Sequence, residues 1–258
     1  MRTEGKVARR ALSWALALGW LGAAAAVQAQ PARVIGVMSL IADEFVVVGQ
    51  EGTTGTKLDQ NVRESVPIAG GAVEKVVLTT VMKAVASVDT AAKVMPMLVN
   101  EPRYYRGQRD WTDGDKATLP AEVVEALRGA NMTHLILVTK HRADTRMNTG
   151  RISLGSGRLE GVGFFVDRIS RLQLLGTSER TVGYLAPYLY AQVALIDLAA
   201  ARVVAKREIT RGEVVVASQT GAAGGDPWTW LDEKGKVQAL ASMIERDVAE
   251  ATVALVKR

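Results

Sequence analysis

Cysteine is absent from this sequence of 258 residues, and histidine occurs only twice. The first absence excludes disulfides, cysteine nucleophiles, thiolate metal sites and a lipid-bearing N-terminal cysteine. The second leaves His134 and His141. Seven residues is an odd number of steps along a strand, so the two rings point to opposite faces and cannot share a metal on one strand. No His-Glu-x-x-His pattern is present, and the sequence implies neither a metal nor a cofactor. Other signatures are missing too. There is no Gly-x-Ser-x-Gly elbow and no Ser-x-x-Lys. Gly155, Gly157 and Gly161 are spaced one residue too widely for a dinucleotide fingerprint, and no Walker lysine follows any glycine loop. These three glycines read instead as bulges or close backbone approaches in a long strand.

What is present begins with an export signal. Arg2, Lys6, Arg9 and Arg10 form a basic head, Ala11 to Ala29 carries no charge, and the stretch ends in small residues at Val27-Gln28-Ala29. This is the order that export machinery and signal peptidase read. Residues 1–29 are therefore expected to be a cleaved secretory signal and residues 30–258 a single mixed α/β domain in the periplasm or outside the cell, with no transmembrane span after cleavage. The general secretory route is favoured, because the Arg9-Arg10 pair lacks the rest of a twin-arginine motif. Beyond the signal the balance is 28 basic against 26 acidic residues. The high overall pI is thus partly a property of the signal and is no argument for a nucleic-acid partner.

The remaining pattern predicts α/β (α+β) architecture: a mixed, largely antiparallel sheet with about three helices, the last of them long and amphipathic. Arg33 to Ile41 and Phe45 to Gln50 are β-branched runs separated by Ala-Asp-Glu, and read as a hairpin. Ala72 to Val88 has helical apolar spacing, and Lys93 to Val99 contains Pro96 and reads as an edge strand. Leu119-Pro120 opens a helix that Gly129 ends, and Thr133 to Thr139 is a continuous apolar strand. Long strands follow at 161–169, 183–197 and 203–216, with Asp197 to Arg202 as a hairpin turn. In the second of them Leu189, Ala191, Val193 and Leu195 read as the inward face, and Tyr188, Tyr190 and Gln192 as an amphipathic one. Lys236 to Val256 forms the last helix. Trp228 and Trp230 precede it as an apolar staple.

Chemistry is sparse. From Lys140 to Arg180 there are eight basic and four acidic residues. Arg142, Arg146, Arg151, Arg158, Arg168 and Arg171 are the candidate binding residues, because a guanidinium makes bidentate contacts to phosphate and carboxylate. They fit an anionic envelope component or a partner protein. An alternative is hydrolysis of an envelope polymer by Asp110, Asp113 and His141 drawn together by the fold. A third is a small-ligand carrier using Tyr184, Tyr188 and Tyr190. Asp110, Asp113 and Asp115 match no EF-hand spacing and read as a solvated acidic turn. Long connections at 51–71, 100–118 and 140–160 mark a site if they converge on one face.

The blocks LRGANMTHLILVTKHRAD, GRLEGVGFFVD and YLAPYLYAQVALIDLAAARVV resemble a family of proteobacterial exported proteins without assigned function. The resemblance spans most of the chain beyond the signal and implies no catalytic residues. In element order the chain is also similar to two envelope α/β modules, the curli-secretion lipoprotein and the N-terminal domain of the Tol translocation protein. It lacks the lipidated cysteine of the first and the propeller of the second.

Overall fold

The computed structural model describes residues 33–50, 61–68, 71–99, 101–148, 153–173, 180–222 and 224–257. The export signal expected at 1–29 and most of the connection at 51–71 lie outside the described residues. The sheet is organised around one strand of eighteen residues, β12 (Arg180–Asp197). Along one of its edges runs β13 (Arg202–Gly212), antiparallel, and the two are joined by the turn foreseen after Asp197. Asp197 Oδ1 accepts the Ala199 and Ala200 amides at 2.9 and 3.0 Å, which fixes that turn.

The other edge of β12 is shared between two ladders. Its first half pairs with β11 (Arg158–Gln173), which pairs in turn with β2 (Glu44–Gln50) and then β3 (Val62–Pro67). Its second half pairs with β7 (His134–Lys140), followed by β1 (Val34–Leu40) and β4 (Lys93–Met97). The sheet forks, and β4, with Pro96, forms the outer edge of one branch as expected.

This topology corrects the reading of β1 and β2 as a hairpin. Both strands run antiparallel to the β7-β12 and β11-β12 partner, β12, so they run in the same direction, one in each branch. Parallel strands that are direct neighbours need a long crossover. Here three residues suffice because the strands are not neighbours: they continue one another across the fork. The junction is held from a distance. Glu74 Oε1 accepts the Ala42 amide at 2.8 Å, Asp43 takes the Lys140 ammonium at 2.6 Å, and the Asp43 carbonyl accepts the Ile68 amide at 3.0 Å.

The helices number five among the described residues. The three expected ones are α1 (Ala72–Val88), α3 (Ala121–Gly129) and α5 (Glu233–Val256); two short ones, α2 (Pro102–Gly107) and α4 (Ala217–Thr220), are added. α1 and α5 cover one face of the sheet, burying Val77, Val81, Val85, Ile244, Val248 and Leu255 against Ile136, Val138, Leu189 and Val193. Asp232 caps α5 by accepting the Gly235 amide at 2.7 Å. Lys236 lies over the Trp228 ring, whose edge meets Phe164, so the tryptophan does staple the entry to α5.

The second face of β12 is not solvated. Tyr184, Tyr188 and Tyr190 are no more than 1% exposed, packed with Met147, Leu159, Val216 and Trp230. The segment around Met147, in the short strand β9 (Met147–Asn148), and the chain from Val214 to Trp230 form a second layer over them. Gly155, Gly157 and Gly161 all have positive φ, of 91°, 76° and 71°; only Gly161 lies in the long strand, the other two falling in the connection before it.

Candidate functional site

The described parts of the three long connections, 61–68, 101–118 and 140–148 with 153–160, contribute to one face of the sheet. β2 alternates, so Val46 and Val48 share the face of Tyr188. From neighbouring β3 come Arg63 and Ser65. The strand β8 (Arg142–Asp144) pairs antiparallel with the start of β11, setting Arg142 opposite Glu160 and Arg158 opposite Asp144. α2 and the turn after it bring Tyr105, Arg106, Gln108 and Arg109. Two open clefts of about 320 Å³ each result, and they share Glu44, Val46 and Glu160, making one elongated groove.

Polar contacts lock these segments together. Gln108, only 2% exposed, donates to the Tyr105 carbonyl at 2.6 Å and accepts the Lys140 amide at 2.8 Å. Asn61 Nδ2 donates to the Ser156 carbonyl at 2.7 Å, and Arg63 donates to the Arg158 carbonyl at 2.9 Å. The Gln108–Lys140, Asn61–Ser156 and Arg63–Arg158 bonds each tie one connection to another, so the groove is built by the fold.

The lining is cationic. Arg63, Arg106, Arg109, Lys140, Arg142 and Arg158 face Glu44 and Glu160. Arg109 grips Glu160 with two guanidinium nitrogens, a pairing that raises the arginine's pKa further. Lys140 meets Asp43, and Arg158 meets Asp144 at 3.2 Å. Arg106 and Arg142 have no ionic partner among the described residues. Tyr188 forms part of the floor; burial raises its pKa well above the usual phenol range, and its hydroxyl donates to the Val46 carbonyl at 3.2 Å.

The candidate arginines separate. Arg142 and Arg158 are in the groove. Arg146 is exposed just beyond it, its backbone amide donating to the Tyr190 hydroxyl at 2.8 Å. Arg168 pairs bidentately with Asp226 at 3.1 and 3.2 Å, and Arg171 lies beyond it on β11. With a strand rise of about 3.3 Å per residue, Arg158 and Arg171 are roughly 40 Å apart along β11. Arg151 lies outside the described residues. Sequence reasoning missed Arg63, Arg106 and Arg109. The recurrence of arginine at 103, 106 and 109 was the available signal, overshadowed by the acidic cluster after it.

Among the described residues no ion pair joins His141 to Asp110 or Asp113. His141 meets Glu208 at 3.6 Å, which is its ionic partner among the described residues. Asp110 and Asp113 are exposed, the first in a short 3-10 turn and the second in the two-residue strand β5 (Thr112–Asp113). The other histidine, His134, is half-buried opposite Asp197; burial lowers its pKa, Asp197 opposing the shift. Of the three tyrosines of the carrier reading, Tyr188 lines the groove, Tyr190 is bonded to the Arg146 amide and the Asp144 carbonyl, and Tyr184 is buried. No group of three or more metal-ligating side chains and no helix long and apolar enough to cross a membrane occurs among the described residues.

Beside the groove, at the fork, Glu74 is a carboxyl only 3% exposed. Burial raises its pKa; the Ala42 amide and the nearby Ser39 and Tyr105 hydroxyls oppose that, and Asp43 adds to it. No donor reaches Oε2 with hydrogen-bond geometry. A native pKa above the ordinary 4.5 means the folded state holds the proton longer than the unfolded state. The stabilisation is complete below about pH 4.5 and is lost as pH rises through the native value. Glu74→Gln keeps an acceptor for the Ala42 amide without the charge. Its urea midpoint is expected to match wild type near pH 4.5 and exceed it at pH 8. Parallel curves across that range would show that Glu74 carries no such linkage.

No family model matches the chain, and no curated protein matches it. Among solved structures it is similar to the PelC dodecamer from Paraburkholderia phytofirmans, at 14% identity and a TM-score of 0.32, covering 88% of this chain and 89% of that one. A DUF330 protein from Xanthomonas campestris matches at 11% identity and a TM-score of 0.34, over 87% and 81% of the two chains. A homologue of a neuraminyllactose-binding hemagglutinin from Helicobacter pylori matches at 5% identity and 0.39, over 88% and 87%. Likeness at this level says nothing of what the chain binds. The likeness in element order to the curli-secretion and Tol modules finds no support in these comparisons.

Proposed function

We propose that this chain is an exported, non-catalytic binding protein whose groove holds a linear polyanion of the cell envelope. The observation that carries the proposal is the convergence of six cationic side chains from three distant connections on one elongated groove. A single small anion would be served by one pocket. A groove cationic from Arg106 to Arg158 suits a polymer with repeated carboxylates or phosphates, which arginine forks grip in bidentate fashion. The apolar floor of Val46, Val48 and Leu159 suits the less polar face of such a chain. Export is supported by the order of charge, apolarity and small residues in 1–29.

Calorimetric titration with polygalacturonate, which is carboxylated, and with polyphosphate tests this. Binding to at least one is expected, weakening as salt screens the groove. The double substitution Arg106→Glu with Arg142→Glu should weaken it by about tenfold or more. Both side chains are exposed and have no ionic partner among the described residues, so folding should be unaffected. Wild-type affinity in the double variant, or no affinity for either polymer, would overturn the proposal.

A further inference from the structure

The second group of arginines occupies a different part of the molecule, and its surroundings differ in kind. The β11–β12 ladder is interrupted between Asp167 and Arg171, and beyond the interruption the two strands pair again, Arg171 with Val182 and Leu172 with Thr181. Cross-strand partners lie on one face, and so do residues two apart, so Arg171, Val182 and Arg180 form one surface. Val182 is 57% exposed, and Ile169, in the interruption itself, is 50% exposed. Large β-branched side chains in a sheet face are ordinarily packed; here two are left in the open among arginines. Arg171 and Arg180 have no ionic partner among the described residues. From Arg168 to Gly183 the sequence carries three arginines against one carboxylate, Glu179.

Exposed aliphatic groups beside unpaired guanidinium groups are suited to the boundary of an anionic bilayer. There the aliphatic groups enter the acyl edge while arginine stems lie along it, with their heads at the phosphates. A soluble polyanion would use the arginines and leave Ile169 and Val182 in water. The remaining elements support this division, because the groove has its apolar residues on the floor and its cations around them. We propose that the β11–β12 ladder, at and beyond its interruption, docks on a membrane surface rich in anionic phospholipid, through Arg171, Arg180, Val182 and Ile169. This does not depend on what the groove binds.

Sedimentation with vesicles of phosphatidylglycerol mixed into phosphatidylcholine, against vesicles of phosphatidylcholine alone, tests it. Wild type should bind the anionic vesicles and release them in high salt. An arginine near an anionic surface strengthens binding about fivefold, so Arg171→Glu with Arg180→Glu should weaken it about 25-fold or more. Ile169→Ser with Val182→Ser should weaken it about tenfold while leaving the arginines in place. The groove variant Arg106→Glu with Arg142→Glu should bind vesicles as wild type does. As a check independent of affinity, Val182→Trp should show fluorescence quenched by vesicles carrying brominated acyl chains. The proposal is overturned if wild type binds both vesicles alike or neither, if the hairpin variants bind undiminished, or if the groove variant alone loses binding. Absence of quenching in a bound Val182→Trp protein would also overturn it.

Discussion

Gly163→Ala should lower the melting temperature by about 5–15 °C, from a loss of about 2–4 kcal/mol in a domain of this size. Gly163 pairs with Val46 of β2 on one side and with Tyr188 of β12 on the other. A methyl group on its Cα would strike the Val46 carbonyl oxygen and would lie 2.7 Å from the Tyr188 hydroxyl. Those two atoms are themselves hydrogen-bonded at 3.2 Å, so the methyl would wedge between a buried donor and its acceptor. The tyrosine is only 1% exposed, and the carbonyl belongs to a strand paired on both edges. Calorimetry with the alanine variant checks this; a shift under about 2 °C would mean that the strands separate at little cost. Tyr188→Phe offers the complementary measurement. It leaves only the Val46 carbonyl without its donor and should cost about 1 kcal/mol.

The second large effect is expected at Asp167→Ala. This carboxylate is 1% exposed and accepts three hydrogen bonds, from the Ile169 amide at 2.8 Å, the Ser170 amide at 2.7 Å and the Ser170 hydroxyl at 2.6 Å. All three donors belong to the interruption in the β11–β12 ladder. Hydrogen bonds to a charged acceptor contribute about 1.5–3 kcal/mol each, and part of that is recovered by solvent here, so a total loss of about 2–4 kcal/mol is expected. Hydrogen exchange localises the effect: the amides of Ile169 and Ser170 should lose protection, while those of Leu135 to Val138 should lose only what the global stability loses. Asp167→Asn keeps one carbonyl acceptor and should fall between the two. Protection unchanged at 169 and 170 in the alanine variant would show that the backbone holds the irregularity without the carboxylate.

Much of the fold could be read from periodicity. α1, α3, α5 and β7 are set by local apolar spacing, and the β12–β13 hairpin by a turn-forming aspartate between two long runs. The fork could not be read in this way. Ala42-Asp43-Glu44 has the composition of a turn, and it is held at the fork by Glu74 and Lys140, distant in sequence. The tyrosine face of β12 misled for a related reason. Tyr and Gln alternating with Leu and Val look half-solvated until the chain around Met147 and Trp230 is laid over them. For the site, the arginine excess at 140–180 was visible, but its division into two surfaces follows from the length of β11. Arg63, Arg106 and Arg109 join the groove only because β3 and α2 are carried to it by the topology.

The fork also bears on how the molecule comes apart. Residues 34–50 lie in the interior of both ladders, β1 between β4 and β7, and β2 between β3 and β11. Neither branch can be released while the other keeps its order, since one uninterrupted stretch of backbone is stitched through both. Unfolding should therefore be a single event and not the successive melting of two halves. Its reverse is slow in kind, because that stretch must find partners roughly a hundred residues further along the chain before either ladder is complete.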